Sequence, residues 1–200
     1  MMRGWCEHLG KAAHLPLENV DTDQIIPARF MSTPRAEGYA RFLFHDLAQE
    51  PDGSPRADFP LTQSPDASIL IAGRNFGCGS SREAAVYALV DAGIRAVIAT
   101  SFGEIFAANA VNNGMLPARV SDADLATLAH RANETGCSVQ VDISQKTIST
   151  DGLIVGFELD PVWRTKLMNG WDDIDLTQAE TPRIAAHTSR LRKTSPWIWT

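Results

Sequence analysis

A chain of 200 residues, 44% of them hydrophobic and 21% charged, is long enough to build one substantial core. Its net charge of −6 gives no general attraction to nucleic acid or to anionic membranes. Three scattered cysteines, Cys6, Cys78 and Cys137, contain no Cys-x-x-Cys pair and define neither a disulfide framework nor a zinc or iron–sulfur ligand set. No apolar run approaches the roughly 18 residues that span a bilayer, and the first residues lack the apolar stretch of a signal peptide. The expectation is a cytoplasmic protein with a single domain over residues 1–200, with no metal of its own, no nucleic-acid partner and no membrane.

In chain order, Asn19-Val20-Asp21-Thr22-Asp23-Gln24-Ile25-Ile26-Pro27 reads as a loop of turn formers closed by proline. Residues 31–66 form an irregular excursion broken by five prolines and two glycines, in which only 39–47 could make a helix. The pattern then becomes regular: a buried strand over 68–72, a helix over 81–92 stopped by Gly93, a strand over 96–99, and a helix over 102–111 stopped by Asn112-Asn113-Gly114. Strand, helix, strand, helix implies parallel pairing, which 115–120 extends. A helix capped at Ser121 runs to Glu134 and ends at Gly136. From residue 138 to 143 the apolar period becomes two, and 146–149 with 153–159 flank the hairpin signal Asp151-Gly152. A strand-rich layer thus accompanies a βα unit, an α/β class with a partly parallel sheet. Helices over 161–168 and 181–192 follow, and a basic tail ends in Trp197 and Trp199, which are expected to pack on the domain.

The chemistry concentrates at Gly73-Arg74-Asn75-Phe76-Gly77-Cys78-Gly79-Ser80-Ser81-Arg82-Glu83, between a strand and a helix. Glycines admit close backbone approach, and a helix N-terminus offers free N–H groups and partial positive charge. Two hydroxyls and an arginine stand at that point, which suits an anion formed during a reaction. A P-loop is excluded because Gly79 is followed by Ser80-Ser81 without lysine, and the dinucleotide fingerprint because Arg82 stands where its third glycine belongs. Asn19, Asp21 and Asp23 do not form a calcium loop, which would need glycine at position 24 and glutamate at 30. Cys78 reads as a small packing residue of the turn, and the five histidines, at 8, 14, 45, 130 and 187, show no mutual ligand spacing.

The glycine segment, with the 19–27 segment upstream and Ser101-Phe102-Gly103-Glu104-Ile105-Phe106, Asn113-Gly114-Met115-Leu116-Pro117 and Met168-Asn169-Gly170-Trp171-Asp172-Asp173-Ile174 downstream, resembles the small subunits of 3-isopropylmalate dehydratase (isopropylmalate isomerase), in the aconitase superfamily. The motifs keep their order over most of the chain. The resemblance implies a swivelling domain of three layers, β/β/α, that closes over a [4Fe-4S] cluster carried by a separate large subunit. It implies a hydro-lyase that interconverts 2-isopropylmalate and 3-isopropylmalate through isopropylmaleate, in leucine biosynthesis, and a small dicarboxylic acid as substrate.

By the same resemblance Ser80 is the base, Ser81 a hydrogen-bond donor, and Arg82 the holder of a substrate carboxylate, while Asp23 lies in a motif whose acidic residue reaches the active site. A second arginine is expected from the loop beyond that motif, either Arg29 or Arg35. One departure stands out. After Glu83 the family continues His-Ala-Pro-Trp, and this chain reads Ala84-Ala85-Val86-Tyr87, so a related diacid of methylmalate, dimethylmalate or homoaconitate type competes as substrate, and a binding module without chemistry remains an alternative.

Overall fold

Residues 7–15 look little like a strand, since Glu7, His8, Gly10, Lys11 and His14 interrupt them and none is β-branched. In the computed structural model, which describes residues 3–133 and 138–199, they form strand β1 (Glu7–Leu15), an element the sequence pattern does not announce. Position explains it. β1 is the seam of a seven-stranded sheet, parallel to β2 (Ala67–Ala72) on one edge and antiparallel to β5 (Ser138–Asp142) on the other. Hydrogen bonding along both edges overrides weak intrinsic preference.

The parallel half continues from β2 to β3 (Ala96–Ala99) and β4 (Leu116–Arg119), with α4 (Glu83–Asp91) and α5 (Glu104–Asn112) as the crossovers. The antiparallel half continues from β5 to β6 (Thr147–Thr150) and β7 (Leu153–Gly156). Asp151 and Gly152 join the last two with φ of 42° and 80°, both positive as a primed hairpin turn requires.

Side-chain alternation on the parallel strands separates two cores. Leu70, Ala72, Val97 and Ala99 meet Ala85, Leu89, Phe106 and Ala110 of the crossover helices. Ile69, Ile71, Ile98 and Leu116 point the other way, against Val139, Val141, Ile148 and Val155 of the antiparallel strands. An isolated pairing of Arg119 with Glu158 ties the chain after β7 to the end of β4, so the antiparallel ribbon folds over the parallel sheet. Helices, parallel strands and antiparallel strands are therefore stacked as the expected β/β/α layers. α6 (Asp122–Ala132) and α7 (Pro161–Asn169) add Leu128 and Leu167 to the second core. The stop expected for α6 at Glu134 and Gly136 lies outside the described residues.

Three expectations change. The loop over 19–27 contains one helical turn, α1 (Thr22–Ile25), closed by a reciprocal capping box between Asp21 and Gln24. The helix expected over 39–47 breaks at Phe44, which is fully buried with φ 51° and donates its N–H to the Ile25 carbonyl at 2.8 Å. The excursion forms only the short α-helices α2 (His45–Ala48) and α3 (Pro60–Gln63) and two 3-10 turns, Arg35–Glu37 and Ala40–Phe42, yet Tyr39, Phe42, Phe44 and Phe59 all enter the helix-side core. Finally, Trp197 and Trp199 do not pack into the domain: they are 68% and 48% exposed, at the end of a helical pair, α8 (Asp173–Ala179) and α9 (Thr181–Thr194), of which no residue is buried. α9 has isolated apolar side chains on a basic surface rather than a stripe wide enough for a core.

Candidate active site

The glycine segment is held from two sides by the other motifs. On one side Asn19 N–H donates to the Arg74 carbonyl at 2.9 Å, Gly77 N–H to the Val20 carbonyl at 2.7 Å, and Thr22 N–H to the Cys78 carbonyl at 3.0 Å. On the other, Phe76 N–H reaches the Ser101 carbonyl at 3.1 Å and Gly103 N–H returns to the Phe76 carbonyl at 2.9 Å. Glycine is required at two points. Gly77 has φ 73° and a Cβ there would stand 2.1 Å from the Phe106 ring, while Gly79 has φ 89°. The fourth motif arrives through Asn113, whose side-chain amide donates to Glu83 Oε1 at 3.0 Å on the first turn of α4.

The chain leaves this clamp as Gly79-Ser80-Ser81, all exposed. Arg82 rather than a serine takes the N-cap position of α4, without a side-chain cap bond, so Ser80 and Ser81 stand just upstream of the helix and not within it. That corrects the helix start expected at Ser81. Ser80 is positioned through its carbonyl, which accepts from Thr22 Oγ1 at 3.0 Å. Arg82 forms an ion pair with Asp23 of α1, its side chain 20% exposed against 52% for the aspartate. Ser80, Ser81, Arg82 and Asp23 thus share one open surface between the glycine segment and α1.

The two other candidate arginines are occupied elsewhere. Arg29 makes a two-pronged ion pair with Asp46 of α2, one arm at 2.9 Å, and this guanidinium draws the Asp46 carboxyl down to about 2. Arg35 lies 3.7 Å over the Tyr87 ring and reaches Asp91 Oδ1 at 3.1 Å. Tyr87 in turn touches Glu83, and burial with that carboxylate pushes its hydroxyl above the ordinary range. Arg35 is therefore connected along α4 to its first turn, and Arg29 stands apart, bound to α2. Thr22, Glu83, Asn113 and Tyr87 were not singled out from sequence. Their signal was membership of the same motifs, since each is a hydrogen-bonding residue inside or next to one.

Cys78 donates weakly to the Asn19 carbonyl at 3.4 Å, and burial followed by the Asp21 charge raises its thiol, which keeps it protonated. Cys6, exposed ahead of β1, lies at the opposite end of the sheet from it, since β1 and β2 are parallel neighbours and Cys6 precedes the first while Cys78 follows the second. A [4Fe-4S] cluster takes thiolate ligands, and this donor set does not fit one: among the described residues no three His, Cys, Asp or Glu side chains converge as a ligand group. A concavity of about 650 Å³ lined by Phe102, Pro117, Arg119, Lys146, Glu158 and Trp163 opens at the end of β4, but its lining includes none of the four site residues.

Residues 2–123 match the family model described as the aconitase C-terminal domain. Among curated proteins, the 3-isopropylmalate dehydratase small subunit of Caulobacter vibrioides is 46% identical over 192 residues, covering 94% of this chain and 95% of its own. That of Bacillus pumilus is 46% identical over 194 residues, 96% of each chain, so the alignment extends into α9. Among solved structures, a crystal structure of 3-isopropylmalate dehydratase (leuD) from Methanocaldococcus jannaschii superposes with a TM-score of 0.66 at 26% identity, over 90% of this chain and 99% of that one. Three motifs that converge on the glycine segment, a β/β/α stack and relatives matched nearly end to end agree: the chain belongs to the family of 3-isopropylmalate dehydratase small subunits, built on the aconitase C-terminal domain.

Proposed function

We propose that this chain is the small subunit of a hydro-lyase that isomerises 2-isopropylmalate to 3-isopropylmalate through isopropylmaleate, in leucine biosynthesis in the cytoplasm, and that it supplies half of an active site completed by a large subunit. The observation that carries the reading is the open surface on which Ser80, Ser81, Arg82 and Asp23 meet. The family's curated members are named small subunits, and an exposed base beside a partly buried arginine needs a second surface to exclude water. The cluster's Lewis-acid chemistry belongs in this reading to the large subunit, because among the described residues the thiols do not assemble a ligand set. The swivelling unit spans residues 1–200.

This chain's part is the proton and the carboxylate. Ser80 accepts the proton from the carbon next to the departing or arriving hydroxyl, with its backbone fixed by the Thr22 bond. A serine hydroxyl is a weak base in water, and it becomes effective when closure removes water and leaves Arg82 and the N-terminal end of α4 to favour the alkoxide. Ser81 donates to a substrate oxygen. Arg82 binds a carboxylate with its planar fork, held until then in the right direction by Asp23. Arg35, through Tyr87 and Glu83, is the better placed of the two further arginines to join it. Mixing this chain anaerobically with the cluster-loaded large subunit tests the reading. Hydration of isopropylmaleate in the mixture and in neither chain alone is the expected result, and no hydration of it or of methyl- and dimethyl-substituted or homoaconitate-type diacids would sink it.

A further inference from the structure

The end of the chain has a charge opposite to that of the rest. Residues 181–200 hold Arg183, Arg190, Arg192 and Lys193 and no acidic residue, whereas residues 1–180 hold all 24 acidic residues against the remaining 14 of the 18 basic ones. The same stretch presents apolar side chains to solvent: Ile184 is 49% exposed, Trp197 68%, Ile198 59% and Trp199 48%. A 14-residue helix with no buried residue is marginal in water on its own propensity. Tryptophan and arginine are also the side chains that most often dominate binding energy at protein interfaces.

The root of this segment fixes which face it serves. Lys166, 3% exposed, donates to Asp173 Oδ1 at 2.6 Å and also to Asn112, and Asn112 reaches the other Asp173 oxygen at 3.1 Å. The next residue, Asn113, is the one that holds Glu83 beside Arg82. The segment therefore departs from the same end of α5 that braces the catalytic turn, on the face that a second subunit must cover to complete the site. We propose that residues 181–199, rooted on the domain through Asp173, are a docking arm whose basic face meets an acidic surface of the large subunit, with Ile184 and the terminal tryptophans as its apolar anchors; this rests on the heteromeric reading above.

The test measures association of the full-length chain with the anaerobically prepared large subunit by calorimetry or sedimentation. Two variants are compared with the unaltered chain, Ile184→Ala/Trp197→Ala/Trp199→Ala and Arg183→Glu/Arg190→Glu. Each is expected to weaken association at least tenfold, to leave the thermal midpoint of the free chain unchanged because no buried residue is altered, and the charge variant is expected to flatten the salt dependence of binding. Association equal to that of the unaltered chain in both variants overturns the arm, as does arm-dependent binding to phosphatidylglycerol vesicles, to an RNA oligonucleotide or to a second copy without any effect on the large subunit. If the unaltered chain and the large subunit fail to associate at all, the heteromeric reading itself falls, a result distinguishable from intact association that ignores the arm.

Discussion

In the proposed reaction Arg82 starts already paired with Asp23, and the pair sets what single substitutions should do. If Arg82 holds a substrate carboxylate as proposed, that carboxylate has to share or displace Asp23, which makes the aspartate a positioning residue for the arginine. Asp23→Asn is expected to lower kcat/KM, by up to about 100-fold as misplaced binding groups do. It should change folding stability by less than about 1 kcal/mol, since the altered aspartate is half exposed. Steady-state kinetics and a urea titration on the same preparation check both halves. Arg82→Lys keeps the charge and loses the fork; it is expected to raise KM strongly, and wild-type KM would remove the carboxylate role. The neighbouring glycines separate strain from packing. Gly77→Ala meets both a positive φ and the Phe106 ring, whereas a methyl at Gly79 stands 3.4 Å from its nearest atom, Asp21 Cβ. The first is expected to cost about 1–3 kcal/mol more than the second, read as the difference in urea midpoints at constant slope.

At the level of elements, the glycine turn, the crossover helices and the hairpin at Asp151-Gly152 were legible because each is decided locally, by backbone permissiveness or by apolar period. β1 and the core role of the excursion were not. β1 is specified by two neighbours distant in sequence, and Phe44 is held with φ 51° by a bond to Ile25 and by burial, neither of which leaves a periodic trace. The site was legible as a set of motifs, but the pairing of Asp23 with Arg82 and of Thr22 with Ser80 depends on α1, which looked like a loop. The junction of α7, α5 and α8 makes its own prediction. Lys166 and then Asn112 hold the Asp173 carboxyl below the ordinary carboxylate range, so its stabilising contribution is complete above an unfolded pKa of about 3.9 and is lost as pH falls through the lower folded value. The stability difference between wild type and Asp173→Asn is therefore expected at pH 7 and should shrink in acid; a difference constant across that range would contradict the linkage.

At the scale of the molecule, the sheet separates two tasks. Its helix-covered half carries the glycine turn, and its antiparallel half stacks on the opposite face of the parallel strands, so the candidate site is borne on a doubly supported platform. The site itself and the basic arm both stand exposed on it, and in the proposed assembly a second subunit covers both. Composition concealed the arm: the chain is acidic as a whole, and its one basic region shows only when charge is counted by segment. The most direct test of the half-site is a titration of the cluster-loaded large subunit with this chain, wild type or Ser80→Ala, following isopropylmaleate consumption and complex assembly together. Wild type should bring turnover to a plateau, and Ser80→Ala should assemble equally well with a plateau lower by about 10² to 10⁴-fold, the usual worth of a positioned base. An assembled Ser80→Ala complex that turns over within a few-fold of wild type would contradict the assignment of proton transfer to this chain.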